Sequence, residues 1–388
     1  MTDELPDSGS SIASLAPSFP ALLAAIDGWN GVSRRESTLP VLPVFSPGDI
    51  GIIRHALDFS RSLYDGKYLS IGEPVSQHIP ASVSILLSLR VDSDTLVAGL
   101  LQFVPDYLDA YEEKLQTAFN PTVAHLVEGV SRMGRIPTLG TKVDGSTDHS
   151  AQIEALRKML LAMADDIRVV IIALADRLQT MRYVAVNNIP GRMEVAQETF
   201  DIFAPLANRL GLWQIKWELE DLSFRILEPE RYKKIARLLE DTRIIRERYI
   251  AVVVDKLQRE LQQTHIKAEV TGRSKHIYSI HKKMKRKEVD FKEIHDARAV
   301  RVLVNDVKDC YAVLGVVHNL WVPIPKEFDD YIARPKGNDY RSLHTAVMGP
   351  EEKVVEVQIR THEMHRHSEM GVAAHWRYKE GAKRDARV

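Results

Sequence analysis

The sequence predicts an α+β protein, a helical first half followed by a region in which short strands alternate with helices, and three observations predict it. From Ser46 to about Gln263 apolar residues recur three and four apart, the period of an amphipathic helix. After Ile266 short runs of period-two alternation appear between helical stretches, so this region taken alone reads as α/β or α+β. The third observation is charge: the 388 residues sum to −1, yet 28 Lys+Arg face 35 Asp+Glu up to His265 and 24 face 18 beyond it. Near-neutrality is therefore the sum of an acidic half and a basic half, and the basic half suits a polyanionic ligand. With 45% hydrophobic and 27% charged residues, the composition is that of folded globular domains, and the length accommodates two or three.

In chain order, residues 1–20 are rich in Ser and Pro and read as a flexible leader, with helices beginning near Ala21. Ser46-Pro47 is a helix start with Pro near the first position. Ile52, Ile53, Ala56 and Leu57 show one apolar face, and Val83, Ile85, Leu86 and Leu89 a second. Breaks fall at Asp65–Pro74, near Asp92, at Asn120-Pro121 and at Pro137–Asp148. Two further helical blocks, Glu194–Leu212 and Glu230–Gln263, are separated by a connection ending at Pro229 and read as a bridge. Strands are expected at Lys267–Thr271, Ala297–Val304, Leu343–Met348 and Val354–Arg360.

Several function classes are excluded at this level. The single cysteine, Cys310, cannot pair internally or build a thiolate zinc site, which points to packing and to a reducing, cytoplasmic setting. The first twenty residues hold acids but no Lys or Arg, the wrong charge for a secretory leader. The most apolar stretch, Val169–Ala175, is flanked by Asp165, Asp166, Arg168 and Asp176, so no membrane span is expected.

The densest chemistry lies in Gly272–Lys287, which carries seven Lys or Arg and no acid. At about 100° per residue, Lys275, Ser279, Lys282 and Arg286 share a face flanked by Lys283, while Ile277, Ile280 and Met284 lie opposite. With Arg273 at the turn, Ser274 as cap and free N–H groups at the helix start, this arrangement can cradle a polyphosphate. The same pattern would also serve as a solvated basic face. Alternation places Asp296 and Arg298 with Val300 and Val302, and sets Glu356, Gln358 and Arg360 against Val355, Val357 and Ile359. Two strand carboxylates near a phosphate site suit Mg²⁺ ligation and activation of an attacking hydroxyl. Between them, Glu327-Phe-Asp-Asp-Tyr leads into a loop presenting Lys336, Asn338, Tyr340 and His344, which could hold phosphate, a base edge and a purine ring.

Six blocks in order, from Gly-Arg-Ser-Lys-His-Ile-Tyr-Ser-Ile through His-Asp-Ala-Arg-Ala-Val-Arg, Glu-Phe-Asp-Asp-Tyr-Ile-Ala, Asn-Asp-Tyr-Arg-Ser-Leu-His-Thr and Glu-Val-Gln-Ile-Arg-Thr to Gly-Val-Ala-Ala-His-Trp-Arg-Tyr-Lys, resemble the synthetase domain of the bacterial RelA/SpoT family. The resemblance implies a nucleotidyltransferase-like mixed sheet. It also implies transfer of pyrophosphate from ATP to the 3′-hydroxyl of GDP or GTP, making AMP and the stringent-response alarmone ppGpp or pppGpp. By that likeness Arg273, Lys275, Ser279, Lys283 and Arg301 hold ATP, Asp296 and Glu356 are catalytic and bind Mg²⁺, and Lys336, Asn338, Tyr340, His344 and Gln358 hold the acceptor. The acidic Glu327, Asp329 and Asp330 resemble the selectivity loop of the RelA branch, which goes with a preference for GDP; the residues alone do not fix GDP against GTP.

The likeness extends into the helical half, which corresponds to the family's HD-type Mn²⁺ hydrolase held by two His and two Asp. His78 matches the first ligand and Asp176 the last, but Gln102 and Phe103 stand where an adjacent His-Asp pair is expected. Leu69 and Thr180 replace a nucleotide-binding Arg and a polar Asn. Two ligands of four cannot hold a divalent ion tightly, so no hydrolase activity is expected, and His78 is read as a core residue. His362, His365 and His367 precede a helix-like stretch and match no standard zinc spacing; the resemblance implies a helix here that packs beside the acceptor pocket.

The expected domains are thus a leader over 1–20, a pseudo-hydrolase over 21–190, a bridge over 191–264 and a synthetase over 265–388. Long family members carry further domains that sense uncharged tRNA on the ribosome. The competing readings are a bifunctional synthetase and hydrolase, opposed by Gln102-Phe103, and an inactive regulatory RNA-binding module, opposed by Asp296, Glu356 and Tyr340. Nothing in the sequence decides the oligomeric state.

Overall fold

The computed structural model describes residues 19, 22, 45–134, 166–241, 243–273, 276–287, 298–337 and 339–370. They form two compact units, one running up to Leu206 and one from Ala207 to Val372.

The described residues of the first unit are built mainly from helices: α1 Pro47–Tyr64, α2 Val75–Ser88, α3 Ser93–Leu101, α4 Tyr111–Ala118, α5 Pro121–Gly134, α6 Ile167–Val186 and α7 Arg192–Glu198. A single π-turn, Thr199–Phe203, then leads into α8, Ala204–Arg209. The start of α1 is a capping box in which Ser46 Oγ accepts from Asp49 N and Asp49 accepts from Ser46 N at 3.0 Å, with Pro47 in the first turn. Asp49 also accepts from Ser93 Oγ at 2.8 Å, tying the starts of α1 and α3 together. The α1 face Ile50, Ile53, Ala56, Leu57 and Tyr64 is buried, as its spacing demands. Helix α6 is the central member, with Val169, Val170, Ile171, Ile172, Leu174, Ala175, Leu178 and Met181 all buried. Close approach needs glycine at Gly129, where an added Cβ would lie 2.7 Å from Val169. Phe19, inside the segment read as a leader, is helical and buried. Among the described residues no helix is long and apolar enough to cross a membrane.

The second unit contains α9 Trp213–Leu227, α10 Pro229–Asp241, α11 Arg243–Gln263, β1 Ala268–Arg273, α12 Ile277–Lys287, β2 Ala299–Val304, α13 Val307–Leu320, β3 Val322–Asp330, β4 Leu343–Met348, β5 Val354–Thr361 and α14 His362–Met370. The strands form one mixed sheet in the order β1-β2-β5-β4-β3, with β2 and β5 parallel and the other pairs antiparallel. One face is covered by α11 and α13, through Tyr249, Val253, Leu257, Leu261, Val313 and Val317 packed on Val300, Val302, Val355, Val357 and Ile359. Cys310 is buried in this core, and burial pushes its thiol up to about 12, so it packs as expected. On a separate small core, Ile280 of α12 meets Phe224 of α9 and Ile235 of α10, with Ile277 and Met284 beside it. That is the apolar face the sequence assigned to the basic helix.

Two elements differ from the sequence expectation. The connection before Pro229 is itself a helix, α9; its buried Ile215, Leu219 and Ile226 keep helical spacing, and Phe224 is buried on another face. The Glu327–Asp330 stretch is not a loop but the end of strand β3. This strand lies on the sheet edge, where Pro323 and Pro325 cost no ladder bond, and its residues are mostly exposed, so no alternation marks it.

Candidate active site

The sheet face away from α11 and α13 carries the polar residues, and strand register sets their spacing. Arg301 pairs with Thr271 on one side and Gln358 on the other; Gln358 pairs in turn with His344, and His344 with Asp329. One row across the sheet therefore holds Arg301, Gln358, His344 and Asp329. In the next row Arg273 pairs with Ala299, Ala299 with Glu356, and Glu356 with Ala346. Glu356 thus has a methyl group on each neighbouring strand, while polar side chains approach it from the adjoining row.

Three groups converge on one carboxylate oxygen. Gln358 Nε2 donates to Glu356 Oε1 at 2.8 Å, and Arg273 Nη1 and His344 Nδ1 each lie 3.9 Å from the same atom. Tyr340 Oη bonds His344 Nε2 at 2.8 Å. Burial pushes the His344 imidazole down to about 4, with Arg273 and Lys336 adding to the drop and Glu356 opposing it. The ring is therefore neutral at ordinary pH.

Tyr340 stands among rings and cations. Tyr331 lies 6.1 Å and Trp213 5.6 Å from it centroid to centroid, and the Lys336 ammonium sits 4.2 Å from the Tyr331 centroid and 5.4 Å from that of Tyr340. Although much of Lys336 meets solvent, loss of hydration at its ammonium lowers its pKa, as does Lys216, with Asp329 opposing. Arg360 is buried behind the site and binds Ser368 Oγ and, at 2.7 Å, His365 Nδ1. Burial, followed by Arg360 and Arg301, holds His365 down at about 3. His362, His365 and His367 lie on α14, the helix the resemblance implies for this segment, and α14 packs on β5.

The expected site residues divide as follows. Arg273, Glu356, Gln358, His344, Tyr340 and Lys336 come together, with Arg301 in the same row as Gln358. Ser279 and Lys283 lie on the basic helix α12. Lys275, Asp296 and Asn338 lie outside the described residues. The acidic trio splits: Asp329 acts on Lys336 and His344, whereas Asp330 accepts from Ile332 N, Ala333 N and Tyr311 Oη and is spent on the turn after β3. Glu327 is exposed on β3. The amides at the start of α12 are not all free, because Asp221 accepts from Tyr278 N at 2.7 Å. Sequence reasoning missed Trp213, Trp217, Asp221 and Tyr331; the Trp pair four residues apart was the available signal.

For Mg²⁺, the described residues offer one well-oriented carboxylate, Glu356. This fits an ion usually held by one or two carboxylates and substrate phosphates.

In the helical unit, His78, Gln102, Phe103 and Asp176 do meet. His78 is fully buried, with Nδ1 2.7 Å from Glu73 Oε2 and Nε2 2.8 Å from Asp176 Oδ1. Gln102 Nε2 donates to Asp176 Oδ1 at 3.3 Å, Gln179 Nε2 donates to Glu73 Oε1 at 2.7 Å, and the Phe103 ring lies edge-on to His78 at 5.8 Å. Burial alone would lower the His78 pKa, but Asp176 and Glu73 override it and raise it to about 9. Both ring nitrogens are engaged and the imidazole is charged, so this donor set does not fit a metal ion.

Comparison with known proteins matches the two parts of the chain to two families. Residues 56–213 match the HD domain family, and residues 272–383 match the family described as a region found in RelA / SpoT proteins. A helical HD domain joined to a mixed-sheet unit with a basic helix and a polar face is the class of protein that fold and site define. Within that class, the chain belongs to the RelA/SpoT family.

The chain is 48% identical over 299 residues to a GTP pyrophosphokinase of Photobacterium angustum, covering 77% of this chain and 40% of that one. It is 48% identical over 300 residues to the Escherichia coli K12 GTP pyrophosphokinase, with 77% and 40% covered, and 41% identical over 363 residues to that of Myxococcus xanthus, with 93% and 47% covered. The chain thus spans less than half the length of these relatives. A solved structure of the small alarmone synthetase 1 from Bacillus subtilis, bound to its product pppGpp, is 27% identical over 38% of this chain and 83% of that one, with a TM-score of 0.29.

Proposed function

We propose that this chain is a (p)ppGpp synthetase, transferring pyrophosphate from ATP to the 3′-hydroxyl of GDP or GTP. The observation that carries the reading is Glu356. Its carboxylate is oriented by Gln358 and Arg273 and lies one residue pair from the His344–Tyr340 hydrogen bond. In the proposed step the acceptor 3′-oxygen attacks the β-phosphorus of ATP, its proton passes to Glu356, and the bond from the β-phosphorus to the α–β bridging oxygen breaks, releasing AMP. Arg273 and the basic face of α12, with Lys275, Ser279 and Lys283, hold the triphosphate. Arg301 serves the same end from β2. Tyr340 offers its ring to guanine, with Lys336, Asn338, His344 and Gln358 around the acceptor. Mg²⁺, held by Glu356 and Asp296, would neutralise phosphate charge. Asp329, facing Lys336, disfavours the extra phosphate of GTP and so supports a preference for GDP.

The helical unit is proposed to lack hydrolase activity. The supporting observation is His78, which is closed off between two carboxylates where a metal ligand needs a free lone pair. Incubating ppGpp with Mn²⁺ should release no pyrophosphate; steady turnover would overturn this part. Synthesis is tested by separating nucleotides after incubation with labelled ATP, Mg²⁺ and GDP or GTP, with Asp296→Ala alongside. Labelled ppGpp or pppGpp from the parent chain and none from the variant is expected. An unlabelled acceptor, or equal product from the variant, would refute it.

A further inference from the structure

Helix α9 presents an unusual stripe. Trp213, Trp217 and Asp221 lie four residues apart in succession, so they share one face over about 12 Å of helix. They are separate from the face that buries Ile215, Leu219 and Ile226, and both tryptophans are only partly buried. Each member of the stripe touches a different part of the candidate site. The Trp213 ring meets Tyr340 at 5.6 Å and 70°, an edge-to-face contact. Trp217 stacks on His276 at 5.0 Å and 23°, and carries the Arg273 guanidinium 5.5 Å from its centroid. Asp221 accepts from Tyr278 N at 2.7 Å and lies 3.2 Å from His276 Nδ1, anchoring the start of the basic helix α12. The two tryptophans are themselves 5.9 Å apart.

We infer that this stripe is a positioning element for both nucleotide subsites, with Trp213 holding Tyr340 for the acceptor base, and Trp217 and Asp221 holding Arg273 and the head of α12 for ATP. The inference rests on the synthetase reading and deepens it. Tyr340 lies in the loop before β4 and Arg273 at the end of β1, so they come from separate parts of the chain. A single helix bearing contacts to both fixes their separation, which matters because pyrophosphate transfer depends on placing the 3′-oxygen against the β-phosphorus. Neither tryptophan is assigned to the chemistry itself.

Steady-state kinetics on the intact chain separate this from a packing role. Trp213→Ala should raise KM for the acceptor roughly five- to tenfold, the scale of one lost aromatic contact, with KM for ATP within about twofold. Trp217→Ala should do the reverse, and Asp221→Asn should follow Trp217→Ala. Trp213→Phe and Trp217→Phe, which keep a ring, should restore most of each loss. Parallel shifts of both KM values in both alanine variants, or no shift in either, would overturn the inference. If the parent chain makes no alarmone, the synthetase reading fails instead. The stripe is then tested by equilibrium binding of GDP and a non-hydrolysable ATP analogue to the same variants, where the same split supports it and its absence refutes it.

Discussion

The two units each bring a histidine against carboxylates, and they do so to opposite ends. In the helical unit His78 is closed off: each ring nitrogen bonds a carboxylate, Gln102 and Gln179 donate to those same acids, and the imidazole is held charged by its neighbours. In the sheet unit His344 is neutral, bonded to one tyrosine, and stands 3.9 Å from a carboxylate flanked by alanines. A carboxylate pair that already holds a buried cation stabilises the fold; a carboxylate facing a neutral imidazole is the proposed acceptor of a substrate proton or ion. The contrast teaches that residue identity alone does not make a site, since both centres contain His and acidic groups.

The largest expected effect would break the comparison on the sheet side. Glu356→Gln removes the proposed proton acceptor but keeps an amide beside Gln358, so synthesis should fall at least about a hundredfold while the thermal midpoint moves little. Tyr340→Ala should next raise the acceptor KM by about one to two orders of magnitude, the loss expected for a base-stacking ring, read from initial rates against GDP.

On the helical side, His78→Gln should destabilise the first unit by on the order of a few kcal/mol in denaturant unfolding, because Glu73 and Asp176 lose their cation. Synthesis per folded molecule should not change. The pH dependence has a definite sign. With its pKa raised from an ordinary 6.5 to about 9, His78 contributes stability that is fully present below about pH 6.5 and lost as pH rises through 9. His78→Gln should abolish that part of the decline, as measured by unfolding at pH 6 and pH 9.

The smallest effect sharpens the comparison within the acidic trio. Asp329→Asn should change the GDP-to-GTP ratio of kcat/KM by a few-fold, the scale of one charge near the surface. Asp330→Asn should leave the ratio unchanged, since Asp330 is committed to the turn amides.

Much of this was legible in the sequence where patterns are regular. Val355, Val357 and Ile359 against Glu356 and Gln358 announced a two-faced strand, and Ile277, Ile280 and Met284 announced the buried side of the basic helix. Strand β3 was not legible, because Pro323, Pro325 and the charged Lys326 and Glu327 break up Val322, Ile324 and Phe328 on a mostly exposed edge strand. Helix α9 was hidden because its partly exposed Trp213 and Trp217 blur the apolar stripe. Gln102 and Phe103 are the sequence's argument against a metal set, whereas Glu73 as the second partner of His78 was not legible. It lies in the segment before α2, five residues from the histidine, and only the fold closes that distance. Asp330 looked like its neighbour Asp329, and only the turn geometry separates their roles.

The central claim is that the polar sheet face synthesises alarmone, and it is tested most directly by incubating the intact chain with labelled ATP, Mg²⁺ and GDP and separating the products. The account predicts label transferred to a guanosine tetraphosphate, with AMP released in equal amount. ATP left unchanged, or label released only as inorganic phosphate or pyrophosphate, would contradict it.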